Sequence, residues 1–240
     1  MSFRSSVTIV ASPRPRVGKT LIARLLVDYY IHNGRGVAAY DLGGGDATLA
    51  QFLPHHVSKA SIADIKGQMA LFDRLIADEE TAKVVDLGPE SFEAFFSVAG
   101  QIGFAEEARK RAIAPVILFP ITPDKVSVDA YAALRTGFPL AALTPVHNEL
   151  HGSAQHRDKY PFASRATVLV HFPVLTAGLR RLAERPPFSF ADFGLASRMD
   201  LPHDQGFELQ RWLRRVFLEF RELELRVLLA DLQSSIQLQP

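Results

Sequence analysis

Six short runs of aliphatic and β-branched residues punctuate this chain: VTIVA (7–11), GVAAYDL (36–42), KVVDL (83–87), APVILFPI (114–121), LAALTPV (140–146) and ATVLVHF (166–172). Apolar residues at consecutive positions, rather than at alternate ones, mean that both faces of a strand are buried. Parallel strands covered by helices on two sides meet that condition. Helical patterning between the runs predicts helices at about 20–33, 61–78, 89–99, 103–112, 124–136 and 174–184. The first ends at HNGRG, where Gly34 is suited to a left-handed cap. Such alternation predicts an α/β fold, a doubly wound and mostly parallel sheet flanked by helices, with ligands at the carboxyl ends of the strands. With no internal repeat or low-complexity linker, residues 1–240 read as one domain.

Two C-terminal segments depart from the alternation. Residues 185–206, RPPFSFADFGLASRMDLPHDQG, mix proline, glycine and phenylalanine and predict an irregular loop that lays its aromatics on the domain. From Phe207 to about Leu232, Leu209, Leu213, Val216, Phe220, Leu223 and Val227 recur at helical spacing. The plain reading is a long helix docked on the sheet; the sharper one is a partner-binding or membrane-surface helix. Glu interleaved with Arg on its polar side disfavours the membrane version.

Charge narrows the function classes. With 27 basic against 26 acidic residues, the whole molecule is not a polycation made for nucleic acid. The absence of cysteine excludes a disulfide framework and thiolate metal sites, and fits a reducing cytoplasm. The apolar run of MSFRSSVTIV is too short for a secretory leader, and no stretch approaches the roughly twenty residues needed to span a bilayer. A soluble cytoplasmic protein is expected, with nucleoid association open to it.

The first strand leads through IVASPRPRVGKTLIARLL into the first helix. Gly18-Lys19-Thr20 at that junction is the ending of a phosphate-binding loop. A helix N-terminus offers unpaired amides and the positive end of the helix dipole. Lys19 adds a point charge for terminal phosphates, the Thr20 hydroxyl is suited to Mg2+, and Gly18 lets the backbone come close. Pro13 and Pro15 remove two amide donors, leaving those from Arg16 and Val17 to Thr20. A chance Gly-Lys-Thr is the alternative, and the strand–turn–helix setting argues against it.

RPRVGKT resembles the deviant phosphate loop KGGVGKT of the ParA/MinD superfamily, the SIMIBI class of P-loop ATPases. In that branch the position of Pro13 need not be glycine, and the signature lysine falls on Arg14. YDLGGGDATLAQFL resembles the switch VDLDPQGN, with Asp41 on its first aspartate. VVDLGPESF resembles IIDTPP and places Asp86 near the magnesium shell. FPITPDKVSVDAYAAL is similar to the PITPD…S strand–loop–helix, TPVHNEL sets Asn148 on the adenine-contacting asparagine, and VHFPVL resembles the base loop around Pro173. The likeness spans about residues 5 to 180.

The resemblance implies ATP and Mg2+ as ligands. Lys19, Arg14 and Asp41 take catalytic roles; Arg16, Val17, Gly18, Lys19, Thr20, Asn148 and Pro173 bind nucleotide; Thr20, Asp86 and Asp41 hold the metal directly or through water. It implies a nucleotide-dependent homodimer, an activating partner protein, and an ATP-controlled switch for intracellular positioning or partitioning.

Departures bear on chemistry. The second switch aspartate aligns with Gly43, with Asp46 close by, and Pro15 and Arg16 replace glycines that let two loops approach across a dimer. Arg14 keeps the charge of the signature lysine, but its planar fork clamps or stabilises phosphoryl charge differently. Binding is therefore better supported than fast hydrolysis. A catalytically weakened scaffold is the main alternative. A dethiobiotin-synthetase-like enzyme is the lesser one, since its loop carries Thr and acidic residues where this chain has Arg14, Pro15 and Arg16.

His55, His56, His147, His151 and His156 match no tight metal-ligand spacing and read as solvated loop residues. Arg109-Lys110-Arg111, Arg180-Arg181 with Arg185, and Arg211 with Arg214-Arg215 are basic groups that read first as solvated helix faces. The resemblance adds nonspecific, salt-sensitive DNA contact as the sharper reading.

Overall fold

A computed structural model describes residues 4–44, 48–77, 80–151, 158–161, 168–195 and 203–237. Its seven strands form one sheet in which every pairing is parallel, in the order β3-β2-β4-β1-β5-β6-β7. The strands are β1 (Ser5–Val10), β2 (Val37–Leu42), β3 (Val57–Lys59), β4 (Ala82–Leu87), β5 (Ile113–Pro120), β6 (Ala142–Asn148) and β7 (Val170–Phe172). Helices are α1 (Lys19–His32), α2 (Leu49–Phe52), α3 (Ile65–Ala77), α4 (Phe92–Gln101), α5 (Phe104–Lys110), α6 (Lys125–Gly137), α7 (Ala177–Ala183), α8 (Phe190–Leu195) and α9 (His203–Gln237).

Alternate residues of each central strand feed two cores. Val10, Ala39, Val84, Leu118 and Val146 join α1 and α9 on one face, while Ile9, Leu42, Val85, Ile117 and Leu143 join α3 to α6 on the other. This two-sided burial is what the uninterrupted apolar runs require. The chain passes from β1 outward to β2 and β3, returns to β4, and then crosses β1 to reach β5. The order therefore reverses around β1, and the loop leaving its carboxyl end lies at the switch point, where open α/β sheets bind ligands.

The predicted helix boundaries hold within a few residues. Gly34 takes φ 65° and its N–H donates to Ile31 O, while Arg35 N–H donates to Tyr30 O, closing α1. The edge strand β3 and the four-residue α2 were not expected. The predicted 185–206 loop is shortened: it contains α8, and α9 begins at His203 and runs to Gln237, longer than the 207–232 predicted. The reason lies in α1. Arg24 donates to Ala183 O (2.8 Å) and Phe188 O (3.1 Å), with its guanidinium 3.7 Å from the Phe52 ring centre. One turn on, Asp28 accepts from Ser189 Oγ (2.9 Å) and Phe190 N–H (2.7 Å). Two buried charges thus anchor the segment leading into α8.

The docked-helix reading of α9 is correct: Leu209, Leu213, Val216, Phe220, Leu223 and Val227 are all buried against α1 and β7. Glu219 accepts the His171 N–H at 2.9 Å, covering a donor of the edge strand β7. Among the described residues no helix is long and apolar enough to cross a membrane.

Candidate nucleotide site

The loop between β1 and α1 is built around its own lysine. Ala11 N–H still pairs with Leu118 O, which carries the β1 register one residue past the strand. The buried Lys19 ammonium then donates to Ser12 O (3.2 Å) and Arg14 O (2.6 Å), so the loop curls around it. Burial lowers the Lys19 pKa, against the fields of Asp86 and Glu90. Arg16, where the related motif has glycine, adopts φ 60°, a left-handed conformation that costs an L-residue about 1 kcal/mol. Gly18 takes φ 93°, and a Cβ there would stand 2.6 Å from Asn148 Nδ2. The close approach that Gly18 permits here is therefore to a side chain, as well as to anything bound at the helix end. Asn148 donates to Val17 O (3.4 Å) and accepts Leu150 N–H (3.1 Å), which ties the end of β6 to the loop.

Two aspartates sit side by side at the carboxyl edge, because Asp41 on β2 is in register with Asp86 on β4, and Asp86 with Val10 on β1. Thr20, in the first turn of α1, donates its hydroxyl to Asp86 Oδ2 at 2.7 Å. Asp86 is buried, and that burial is the largest reason its pKa is pushed up to about 7. The Thr20 hydrogen bond opposes the rise, Asp41 adds to it, Lys19 opposes it and Glu90 adds to it. A hydroxyl and a buried carboxylate form a hard oxygen donor set, which fits Mg2+. Asp41 is held by backbone amides. Its Oδ1 accepts Gly43 N–H and its Oδ2 accepts Ala50 N–H, both at 2.9 Å, so both oxygens brace the switch segment and the start of α2.

Arg14 turns sideways. Its Nε lies 3.3 Å from Asp124 Oδ1, at the N-terminus of α6 in the same subunit. Burial works against the Asp124 charge, yet hydrogen bonds from Thr122 and Ser127 N–H, with Arg14, hold its carboxyl below the usual range. Pro173 follows β7, and its carbonyl accepts the indole N–H of Trp212 from α9 at 2.8 Å. The loop, Asp41, Asp86 and Asn148 thus converge on one sheet edge, with Pro173 beyond the end of β7 on the same edge.

Sequence reasoning passed over Glu90, in a tight turn over Pro89–Ser91 after β4, whose Oε1 accepts Gly44 N–H at 2.8 Å. It also misread His147, which is buried on β6 with its Nδ1 3.4 Å from His171 Nδ1, not solvated in a loop. His156 and Asp46 lie outside the described residues. No group of three or more metal-ligating side chains occurs among the described residues. Arg109 pairs with Asp231, Arg111 and Lys110 with Glu107, and Arg180 with Glu184, so the 109–111 group is balanced locally, while Arg211, Arg214 and Arg215 stand exposed on α9.

A cavity of about 810 Å³ opens at the other edge of the sheet, lined among others by Ser6, Tyr30, Arg35, Phe217 and Glu224. It lies by the amino ends of β1 and β5, remote from the loop. The chemistry-bearing residues converge at the carboxyl edge, where Lys19 itself fills the loop.

All-parallel pairing, the reversal at β1 and the glycine-lysine loop define a MinD-like P-loop NTPase fold with a long C-terminal helix. No family model matches the chain, and no curated protein matches its sequence. Among solved structures it is similar to the MinC:MinD cell division protein complex of Aquifex aeolicus, at 14% identity and TM-score 0.55 over 88% of this chain and 95% of that one. It is similar also to the MinD cell division protein of Aquifex aeolicus, at 14% identity and TM-score 0.52 over 88% and 96%. At this identity the likeness is one of fold.

Proposed function

We propose that residues 1–240 act as one nucleotide-binding domain that takes ATP with Mg2+ at the β1–α1 loop and uses it to control homodimerisation, as a switch for intracellular positioning or partitioning. The observation that carries the reading is the Thr20–Asp86 pair, 2.7 Å apart beside the Lys19 loop at the switch point of the sheet. On binding, Lys19 exchanges the carbonyls of Ser12 and Arg14 for phosphate oxygens. Amides from Arg16 to Thr20 face the phosphates, Asn148 is the candidate adenine contact, and the chain near Pro173 borders the base. Thr20 and Asp86 hold the metal, with Asp41 acting through the loop it braces. The metal supplies positive charge against the phosphates as negative charge builds on them.

Arg14 is the dimer-sensitive element. Reaching a neighbour's phosphate requires it to leave Asp124, and an exposed ion pair of this kind is worth only about 0–1 kcal/mol. Nucleotide or a second subunit can therefore displace it at small cost. A partner protein is expected to read the two states, since a ligand shifts such an equilibrium only through its preference for one of them. DNA contact is the weaker part of the reading: the 109–111 group is paired locally, which leaves the exposed Arg211, Arg214 and Arg215 of α9 as its candidates.

Gly43 favours a second reading, a scaffold that binds nucleotide without cleaving it. Light scattering coupled to size exclusion tests the switch: ATP with Mg2+ is expected to double the mass of the wild type and leave Lys19→Ala unchanged. A mass that does not depend on saturating nucleotide would refute the switch.

A further inference from the structure

Hydrolysis is helped by a side chain that orients the attacking water; the resemblance puts it at position 43, which carries glycine, with Asp46 close by in sequence but outside the described residues. Asp41 accepts Gly43 N–H on Oδ1 and Ala50 N–H on Oδ2, so the backbone of the following loop fixes the orientation of its carboxylate. Position 43 carries glycine, and a Cβ there would stand 3.2 Å from Asp41 Oδ1, so an aspartate would crowd an existing carboxylate.

The fold instead makes room for a different one. Glu90 bends back from its turn until Oε1 receives the Gly44 N–H at 2.8 Å. A Cβ on Gly88 would lie 2.4 Å from Glu90 Oε1 and 2.9 Å from Oε2, and one on Gly44 would lie 3.0 Å from Oε1. Gly88 has φ −60° and ψ 150°, an ordinary extended conformation open to any residue. Backbone geometry therefore does not call for glycine there, and a Cβ would instead push the exposed Glu90 carboxylate away from its present position. The cradle links the loops after β2 and β4, on either side of Asp41 and Asp86. Glu90 is exposed, and its Oε2 takes no hydrogen bond among the described residues. Its charge is felt at both Lys19 and Asp86, so it belongs electrostatically to the same site.

We propose that Glu90 is the catalytic base of this site, orienting the attacking water and accepting its proton in place of the aspartate missing at position 43. The inference rests on the nucleotide-binding reading above. In the step, the water oxygen forms a bond to the γ-phosphorus while the bond from that phosphorus to the β,γ-bridging oxygen breaks. The bridging oxygen leaves with the electron pair as part of ADP. The water proton passes to Glu90 and then to the released phosphate or to solvent, so the products are ADP and inorganic phosphate with no change of oxidation state.

Glu90→Gln keeps an oxygen for the Gly44 N–H and removes the base, which separates chemistry from loop bracing. Calorimetry and single-turnover phosphate release, both with ATP and Mg2+, are measured on the same preparations. The expected result is ATP affinity within about twofold of wild type and hydrolysis slower by about 10²–10³-fold, as loss of a general base predicts. Glu90→Ala should be similarly slow and partly rescued by added formate, a response that a merely structural role would not give. Gly88→Ala, which crowds the carboxylate, should slow hydrolysis while ATP still binds. Glu90→Gln with wild-type turnover, or a wild type that binds ATP and releases no phosphate, would overturn the role of Glu90 and leave nucleotide binding standing. A wild type that fails to bind ATP would overturn the underlying reading itself.

Discussion

Asp86→Asn exposes the electrostatic cost held in the site. An aspartate in the unfolded chain titrates near 3.8, whereas burial is the main cause that pushes Asp86 up to about 7 in the folded protein. Between those values the folded state keeps a proton that the unfolded state has released. The free energy of unfolding therefore falls as pH rises, by up to about 1.4 kcal/mol per unit. The cost is absent below the unfolded value and complete above the folded one. A separation of about three units sets a ceiling of about 4 kcal/mol, and relaxation around the charge reduces it to about 2 kcal/mol. Asn carries no charge at any pH and retains an oxygen for the Thr20 hydroxyl. Without metal or nucleotide at pH 8, Asp86→Asn should thus melt about 4–8 °C above the wild type, with the gap closing as the pH is lowered towards 5. Asp28, pushed up to about 6 chiefly by burial, titrates in the same direction in both proteins and cancels in the difference. The assay is a set of thermal melts from pH 5 to 8, repeated with Mg2+ and ATP, from which only the wild type should gain appreciably. A variant no more stable than wild type at pH 8, or a gap that widens towards pH 5, would refute the reasoning.

Two further substitutions test the frame of the site. Arg24→Met removes two charged hydrogen bonds to the 183–188 segment and leaves Asp28 buried without its neighbouring cation. A loss of about 3 kcal/mol in denaturant unfolding is expected, and a loss below about 1 kcal/mol would show that the anchor is incidental. Arg16→Gly relieves the left-handed φ of 60° and should raise stability by about 1 kcal/mol, with the denaturation midpoint as the readout. A destabilised variant would mean that the Arg16 side chain does more than tolerate its conformation.

The central strands were legible because two-sided burial writes itself as consecutive apolar residues, and Val84 and Val85 on β4 pack into opposite cores. β3 left no such mark: its three residues, Val57 to Lys59, are at most half-buried and hold the edge by backbone pairing. The α1 anchor was hidden because Arg24 and Asp28, four apart on a helix, resemble a solvated surface pair until the segment from Ala183 to Phe190 covers them. Within the site, Thr20 and Asp86 could be placed from their positions after a loop and after a strand. Asp41 ends on the same sheet edge because it lies near the end of a parallel strand, but the acceptance of backbone N–H groups by both its oxygens depends on how the following loop returns. The partnership of Arg14 with Asp124 and the cradle of Glu90 each join loops far apart in sequence, and no local pattern reports such contacts. The α9 stripe from Leu209 to Val227 was readable because a helix repeats its buried face every three or four residues.

The central claim, that the β1–α1 loop holds a nucleoside triphosphate through Lys19, is tested most directly by titration calorimetry of ATP with Mg2+ into wild type and Lys19→Ala. Saturable binding of one nucleotide per chain, weakened at least about tenfold by the substitution, is the predicted result, since 1.4 kcal/mol corresponds to a factor of ten and the lysine supplies a direct charge on phosphate. Equal binding by both proteins, or no saturation of the wild type by either ATP or GTP, would contradict it.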